Sequence, residues 1–474
     1  MRKLLVLAFC FCLLAAAVPA KAQTKVEFEG TYKVLHHNLV NFSRASDRRF
    51  VQSDSFFENR LDLGINFKPN ENLLFHWSLR GPDFHRWGAN GGGAGSDDSS
   101  VGQTNAFTVY TRAIFATITQ DWGELSIGRL EEDFPTSQAG LKTLGSTYGG
   151  DYIYTLPFDN SSVVDGISFT RKFDGGFGVN AYYAKDITDD ISPAISLKDV
   201  DRDRFGVEPF FTWDGGGASL LLEYVRDMTP QDDVTGNYAE KNYEFYINPA
   251  LTQAWGPFSV KLEGRVGWSE TRYQGDSTKY KNDGLGLYLE TTYNYGAGDI
   301  NLMAWFADGS SLKENGNPRA TKHDLVGMGD FTPFLVAYYG NALPGRAATT
   351  SNWLVRGDGS EWADEVIGGG NNHWGIGLLG NHAITDSIKI NYGIGHFELV
   401  EEYWSGGKKD LGVEVDLGVH IQLLENLTFE SQFGYMFNGK AYRNVSGYDV
   451  NSEAIYSLDA KDTFAWLSAL TVSF

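Results

Sequence analysis

The sequence predicts an all-β protein that crosses a membrane as one antiparallel barrel of about 18 strands, with roughly 16 to 20 strands possible. Three observations support this prediction. An apolar leader begins the chain, strand-length segments of alternating apolar and polar residues follow it to the end, and short turns alternate with long polar connections. A soluble two-sheet protein has no reason to keep all its long connections at one end, so this alternation favours the barrel.

The first 22 residues have the features of an export signal. Arg2 and Lys3 precede an apolar run over residues 4–18, and Ala20 and Ala22 are the small residues of a cleavage site. The apolar run is too short for a membrane helix, which needs about 20 residues. We therefore expect a signal peptide over 1–22 and a barrel domain over 23–474.

Charge and cysteine content exclude several classes of protein. The net charge is −21, and loss of the leader with its three bases, including Lys21, would leave −24. This acidity argues against nucleic acid as a partner. Cys10 and Cys12 both lie in the leader, so the mature chain is expected to have no disulfide and no thiol chemistry.

Eighteen alternating segments are expected to form the barrel. They lie near residues 25–38, 55–68, 72–81, 104–119, 123–130, 162–172, 177–186, 204–213, 218–227, 241–252, 257–269, 282–295, 299–307, 372–383, 387–400, 410–422, 426–438 and 461–474. An even number puts both chain ends on the same side of the membrane. Residues 331–339 also resemble a strand, which leaves the count open near the connection 308–371.

Two kinds of connection alternate between these segments. The short turns are rich in Gly, Asn and Asp, which accept positive φ or hydrogen-bond their own backbone, at 67–73, 120–123, 174–176, 214–217, 253–257, 296–298, 384–387 and 424–426. The long connections are 39–54, 82–103, 131–161, 187–203, 228–240, 270–281, 308–371, 401–409 and 439–460. The long ones are expected on the outer side of the membrane.

Alternation within the clearest strands separates a charged face from an apolar one. A barrel turns the apolar face to lipid and the charged face to the lumen. The expected inward acids are Glu27, Glu29, Glu58, Asp62, Glu263, Glu290, Glu414, Asp416 and Glu430, and the expected inward bases are Lys33, Arg60, Lys261 and Arg265. Because acids exceed bases, we expect a weakly cation-selective pore.

The final segment, 461–474, carries Phe464, Trp466, Leu470 and Phe474 on one face. It resembles the closing strand of bacterial outer-membrane barrels, whose terminal Phe marks the chain for insertion. The resemblance implies that the barrel-assembly machinery recognises Phe474 and inserts the chain into outer-membrane lipid.

Three pairs of segments resemble hairpins of the general bacterial porins. They are 59–67 with 74–80, 113–119 with 122–129, and 165–169 with 177–184. The whole mature chain is most similar to the homotrimeric porins of sulfate-reducing and related bacteria, with alginate-export barrels as a second relative. The resemblance implies a trimeric, non-enzymatic channel for passive diffusion of ions and small hydrophilic solutes.

In general porins the third long loop folds into the channel and narrows it. The resemblance therefore makes 131–161 the candidate constriction loop, with acids at Glu131, Glu132 and Asp133. The alternative for this acidic run is a solvated loop. Matching bases would come from the wall, at Arg60, Arg80 and Arg129.

Arg129 does not fit a lumen-facing position directly, because it shares parity with the outward residues Leu125 and Ile127. An arginine facing lipid at the midplane costs about 2–4 kcal/mol. We therefore expect Arg129 at the strand end or turned inward by a bulge.

Signals for other chemistry are weak. Asp199, Asp201 and Asp203 resemble the start of a calcium loop, but Arg204 stands where such a loop needs Gly. The sequence has no haem-attachment motif, zinc-ligand spacing or catalytic triad, so no cofactor, metal or enzymatic activity is expected. Two alternatives to a general porin remain, a substrate-specific channel or exporter and a barrel that sheathes a partner such as a cytochrome.

Overall fold

A computed structural model of the protein describes residues 24–40, 43–44, 49–50, 53–81, 85–86, 109–130, 164–188, 201–227, 239–273, 279–308, 334, 373–400, 408–442, 445–449, 454–458 and 462–474. These residues form a closed antiparallel barrel of 18 strands, in which each strand pairs with its neighbours in the chain. Across these ranges, no helix combines the length and apolar character needed to span a bilayer.

The barrel strands alternate in direction around the wall. They are β1 (Lys25–Val40), β2 (Ser53–Asn70), β3 (Leu73–Arg80), β4 (Tyr110–Gln120), β5 (Gly123–Leu130), β6 (Val164–Lys172), β7 (Phe177–Thr188), β8 (Asp201–Trp213), β9 (Gly216–Asp227), β10 (Ala239–Trp255), β11 (Phe258–Tyr273), β12 (Tyr280–Asn294), β13 (Gly298–Ala307), β14 (His373–Thr385), β15 (Ile388–Leu399), β16 (Asp410–Leu424), β17 (Leu427–Asn438) and β18 (Thr463–Ser473). Each overlaps one predicted segment, so the predicted fold class and count of about 18 are confirmed.

The count is fixed where it was uncertain. β13 pairs directly with β14, from Gly298 opposite His382 to Ala307 opposite His373. No further barrel strand can therefore lie between them, and the alternative counts of 16 and 20 strands are wrong.

The long connections carry some pairing that the sequence pattern did not predict. A small hairpin joins Val445–Asp449 to Ala454–Leu458, and a second joins Ser43–Arg44 to Arg49–Phe50. His85–Arg86 pairs with β2. These pieces belong to the long connections and do not change the count of barrel strands.

The predicted short turns contain the expected glycines. Gly175, Gly215, Gly256 and Gly296 have φ between 58° and 89°, a region that other residues rarely adopt. Each lies in a turn predicted from composition. These turns fix the registers of the hairpins that they connect.

The last strand closes the barrel against the first. The amide of Phe474 donates to the carbonyl of Gly30 at 2.9 Å, and the amide of Gly30 donates to the carbonyl of Phe474 at 2.7 Å. A Cβ at Gly30 would lie 2.6 Å from the Phe474 ring, so the ring needs glycine there. The aromatic terminus therefore also packs at the point of closure.

The two faces of the wall have the predicted character. In β11, Leu262 and Trp268 are 42% and 41% exposed on the outer face, while Lys261, Glu263 and Arg265 are buried on the inner face. Cross-strand partners share a face, so the register carries this assignment around the barrel. The charged residues in the middle of β11 therefore lie inside the barrel.

Candidate functional site: the inner wall

A basic cluster lies on the inner wall at β2 and β3. Asp62 accepts from Nε of Arg60 at 2.7 Å and from Nε of Arg80 at 2.6 Å. Arg80 lies opposite Asp62 across the strands, and Arg60 is two residues before it. The structure thus brings three predicted lining residues together, with two bases sharing one acid.

A second cluster occupies the wall from β7 to β11. Tyr182 donates to Glu223, and Nη2 of Arg265 lies 3.7 Å from the same carboxylate. The Arg265 guanidinium lies 3.9 Å from the centroid of the Tyr246 ring, and Tyr246 donates to Glu244 at 2.7 Å. A cation over an aromatic face is favoured more strongly when both are desolvated, as here.

The same network extends to β12. Nζ of Lys261 lies 3.9 Å from Glu290, which also accepts from Tyr288. Lys261, Glu263 and Glu290 are all buried. A buried charge is costly unless it is paired, and the contact of Lys261 with Glu290 supplies a pairing within the wall itself.

An acidic group lies on β16 and β17. Glu414 is fully buried and Asp416 nearly so. Further along, Nδ1 of His420 lies 2.8 Å from Glu430. These predicted lining residues share the inner face, as expected, but Glu414 and Asp416 are covered.

Beside this acidic group, the inner wall of β14 and β15 has a recess lined by glycine. Phe334, which belongs to the connection 308–371, is 1% exposed. Its ring lies where side chains at Gly377 or Gly395 would be, and its centroid is 5.2 Å from that of Phe397, edge to face. The inward Trp305 of β13 lies 6.3 Å away. Residue 334 therefore sits inside the barrel.

Several predicted residues fall elsewhere. Glu131, Glu132 and Asp133, with the whole of 131–161, lie outside the described residues, as does the side chain of Glu58. Arg129 is a correction to the predicted lining set. It is exposed at the end of β5, opposite the outward Ile114, and its Nε donates to the Arg112 carbonyl at 3.1 Å. A strand-end position, one of the two expected, explains how it avoids the midplane.

Sequence reasoning missed the aromatic members of the wall. Tyr182 and Tyr246 face inward, as do Leu221 and Val225 beside Glu223 on β9. The inner face of β9 therefore contains apolar residues, so its sequence does not alternate clearly between apolar and polar residues. The register that runs through β8, β9 and β10 to β11, where the alternation is clear, is the signal that places them on the inner face.

Phe334 had no such signal, because nothing in its own segment shows that the ring meets two glycines on distant strands. The described residues contain no group of three or more His, Cys, Asp or Glu side chains arranged to hold a metal ion.

Comparison with known proteins gives similarity in structure only. No protein-family model matches the chain, and no curated protein matches it. OccK8 (OprE) of Pseudomonas aeruginosa is similar over 95% of this chain and 98% of that chain, with 9% identity and a TM-score of 0.49. The anion-selective porin from Comamonas acidovorans is similar over 95% and 100%, with 13% identity and a TM-score of 0.42. OmpT, an outer membrane protein of Vibrio cholerae, is similar over 97% and 100%, with 11% identity and a TM-score of 0.41. Similarity this low does not transfer function.

Proposed function

We propose that this protein is an outer-membrane channel for passive diffusion of ions and small hydrophilic solutes. The observation that carries the proposal is the closed 18-strand wall with charged side chains inside and apolar side chains outside. Barrels of about 16–18 strands are too wide for wall side chains to fill and leave an aqueous passage. A soluble barrel would instead turn its apolar face inward.

The outer face has the height of a membrane. On β11 the exposed aromatics Phe258 and Trp268 lie ten residues apart, with Val260, Leu262 and Val266 between them. At about 3.3 Å per residue and a tilt of about 40°, this separation corresponds to roughly 25 Å across the bilayer. Aromatic residues at both edges of an apolar band are typical of membrane barrels.

The passage is narrower than the barrel. Phe334, a residue of the connection 308–371, lies in the lumen beside β14 and β15, which supports a role for this connection in the constriction. We assign the same role to 131–161, on the resemblance to porins. The two connections leave the wall from β13 and β5, at well-separated positions around the barrel.

Weak cation selectivity is part of the proposal. To the predicted wall residues, Arg80 among them, the inner wall adds the acids Glu208, Glu223, Asp227 and Glu244 and the bases Arg202 and Arg204. The acidic excess among described inward residues is thus smaller in proportion than the sequence alone indicated. A confined passage concentrates ions whose charge is opposite to the excess charge of its wall. The acidic excess therefore predicts a mild preference for cations.

Conductance in a planar bilayer tests the channel and its selectivity separately. Under a roughly tenfold KCl gradient, between about 0.1 M and 1 M, the reversal potential should have the sign of potassium preference and should fade as salt screens the wall. A chloride sign would refute the selectivity. Insertion of folded barrel without any conductance would refute the channel itself.

We also propose that residues 1–22 are removed on export, that the barrel-assembly machinery recognises Phe474, and that the barrel works as a homotrimer. The contact of Phe474 with Gly30 at the closure supports a role for the terminus in assembly.

A substrate-specific channel is the second candidate. Its support is three inward tyrosines on β7, β10 and β12, namely Tyr182, Tyr246 and Tyr288, because aromatic rings on an inner wall suit contact with a ring-shaped solute. Saturable block of the conductance by one sugar or polymer would favour it.

A further inference from the structure

The outer wall from β7 to β12 is built of three parallel rows, each defined by strand register. The middle row is aromatic and consists of Tyr183, Phe205, Tyr224, Phe245 and Trp268. Neighbouring rings have centroids 4.9–6.1 Å apart, so the row is continuous. On the side away from the long connections, the next row is aliphatic: Ala181, Val207, Leu222, Ile247 and Val266.

These two rows border an apolar groove on the outer face. The groove has a volume of about 710 Å³, and its lining includes Ile167, Val207, Leu222, Phe205 and Trp268. Phe205, Val207 and Leu222 are each exposed by more than 40%. The groove is therefore apolar, open to the side and long enough to follow several strands.

The third row, toward the long connections, is charged. It consists of Lys185, Asp203, Arg226, Tyr243, Glu270 and Lys281. Asp203 lies 4.0 Å from Lys185 and 3.4 Å from Arg226, so one acid is shared by two bases.

The bases next to this row extend its positive charge. Lys279, just before β12, lies 2.8 Å from Glu270. The bases Lys241 of β10 and Arg272 of β11 lie opposite each other in the strand register. The hydrogen bond to Glu270 raises the pKa of Lys279 above its ordinary value. With Asp283 and with Asp165 of β6, which lies opposite Lys185, counted among the acids, six described bases face four described acids on this rim. This excess is unexpected on a chain of net charge −21.

We propose that this outer face binds an anionic lipid, with an acyl chain in the groove and phosphate oxygens on the basic rim. An acyl chain matches the apolar groove, and a phosphate matches bases placed about one row beyond an aromatic belt, at the height of lipid headgroups. The proposal rests on the barrel spanning a membrane, and it does not depend on the barrel conducting. Lipid would then occupy β7–β12 preferentially over the rest of the circumference.

The test is native mass spectrometry of the purified, delipidated barrel with phosphatidylglycerol or with phosphatidylcholine of the same acyl chains. Phosphatidylglycerol should bind more tightly. Lys279→Gln with Lys281→Gln should weaken its binding roughly 30-fold, since each lysine near a lipid surface contributes about 1 kcal/mol. Trp268→Ala should weaken binding of both lipids.

Lys408→Gln with Lys409→Gln is the matched control, because it removes two lysines before β16 on another part of the rim. The control should bind phosphatidylglycerol as the parent does. Equal weakening in both double variants would show a general charge effect and overturn the proposal, as would equal binding of the two lipids. Loss of an oligomer on Trp268→Ala, without a change in lipid retention, would show that a second copy of the chain occupies this face instead. Binding is read without a pore assay, so failure here and failure of the channel proposal are distinguishable.

Discussion

The inner wall over β9–β12 and the inner wall over β14–β15 are covered by side chains of different origin. The first fills its inner face with its own side chains, as in the contacts of Arg265 with Glu223 and of Lys261 with Glu290. The second has Gly377 and Gly395 on its inner face, and Phe334 from the connection that precedes β14 covers them. Substitutions in the first wall should therefore lower the stability of the barrel. Substitutions in the second wall should change the width of the passage.

The largest effect is expected from Arg265→Leu. Arg265 and Glu223 are both buried, and removing one partner of a buried pair costs about 3–5 kcal/mol, because the other charge remains desolvated. Urea unfolding of the barrel in lipid vesicles should show a lower midpoint.

Two variants sharpen this prediction. Arg265→Leu with Glu223→Gln removes both charges and should recover much of the loss. Arg226→Leu removes a half-exposed base on the outer rim and should cost less than about 1 kcal/mol. Equal losses for Arg265→Leu and Arg226→Leu would show that the inner network contributes nothing special.

An intermediate effect, on conductance, is expected from Phe334→Ala. The ring fills the glycine recess and is the described contact between 308–371 and the wall. Without it the connection should lie less firmly against β14 and β15, so single-channel conductance should rise or fluctuate between levels. The urea midpoint should move less than with Arg265→Leu.

Gly395→Val disrupts the same contact by a change in the wall instead of in the connection. Its side chain would occupy the space of the Phe334 ring and should reproduce the change in conductance. Phe210→Ala is the control, because Phe210 is an inward ring that packs over Gly178 of the neighbouring strand, far around the barrel from β14 and β15. A change after Phe210→Ala as large as after Phe334→Ala would mean that any inward ring has this effect.

The same two walls show how far the sequence determined the outcome. Period-2 alternation and turn composition predicted all 18 strands, and the parity of β11 placed Lys261, Glu263 and Arg265 on the inner face. These signals are local, so they can be read from neighbouring residues. The packing position of the Phe334 ring depends on strands that begin about 40 residues later in the chain. No pattern in the residues near Phe334 predicts it. β9 is intermediate, because its partners show what its own mixed parity conceals.

The smallest expected effect separates the two candidate sources of selectivity. Glu414 and Asp416 lie covered in the wall next to the glycine recess, whereas Glu131, Glu132 and Asp133 belong to the proposed constriction loop. A group beside the ion path acts on permeating ions directly, while a covered wall group acts only through the field that remains after pairing.

We therefore expect Glu131→Gln, Glu132→Gln and Asp133→Asn together to lower cation preference more than Glu414→Gln with Asp416→Asn. Reversal potentials at about 0.1 M salt should show the difference, and it should nearly vanish near 1 M, where the Debye length is about 3 Å. No change on neutralising the three loop acids would place 131–161 outside the ion path. A larger change from the two wall acids would move the selective region to β16, beside Phe334, and would make the connection 308–371 the main constriction.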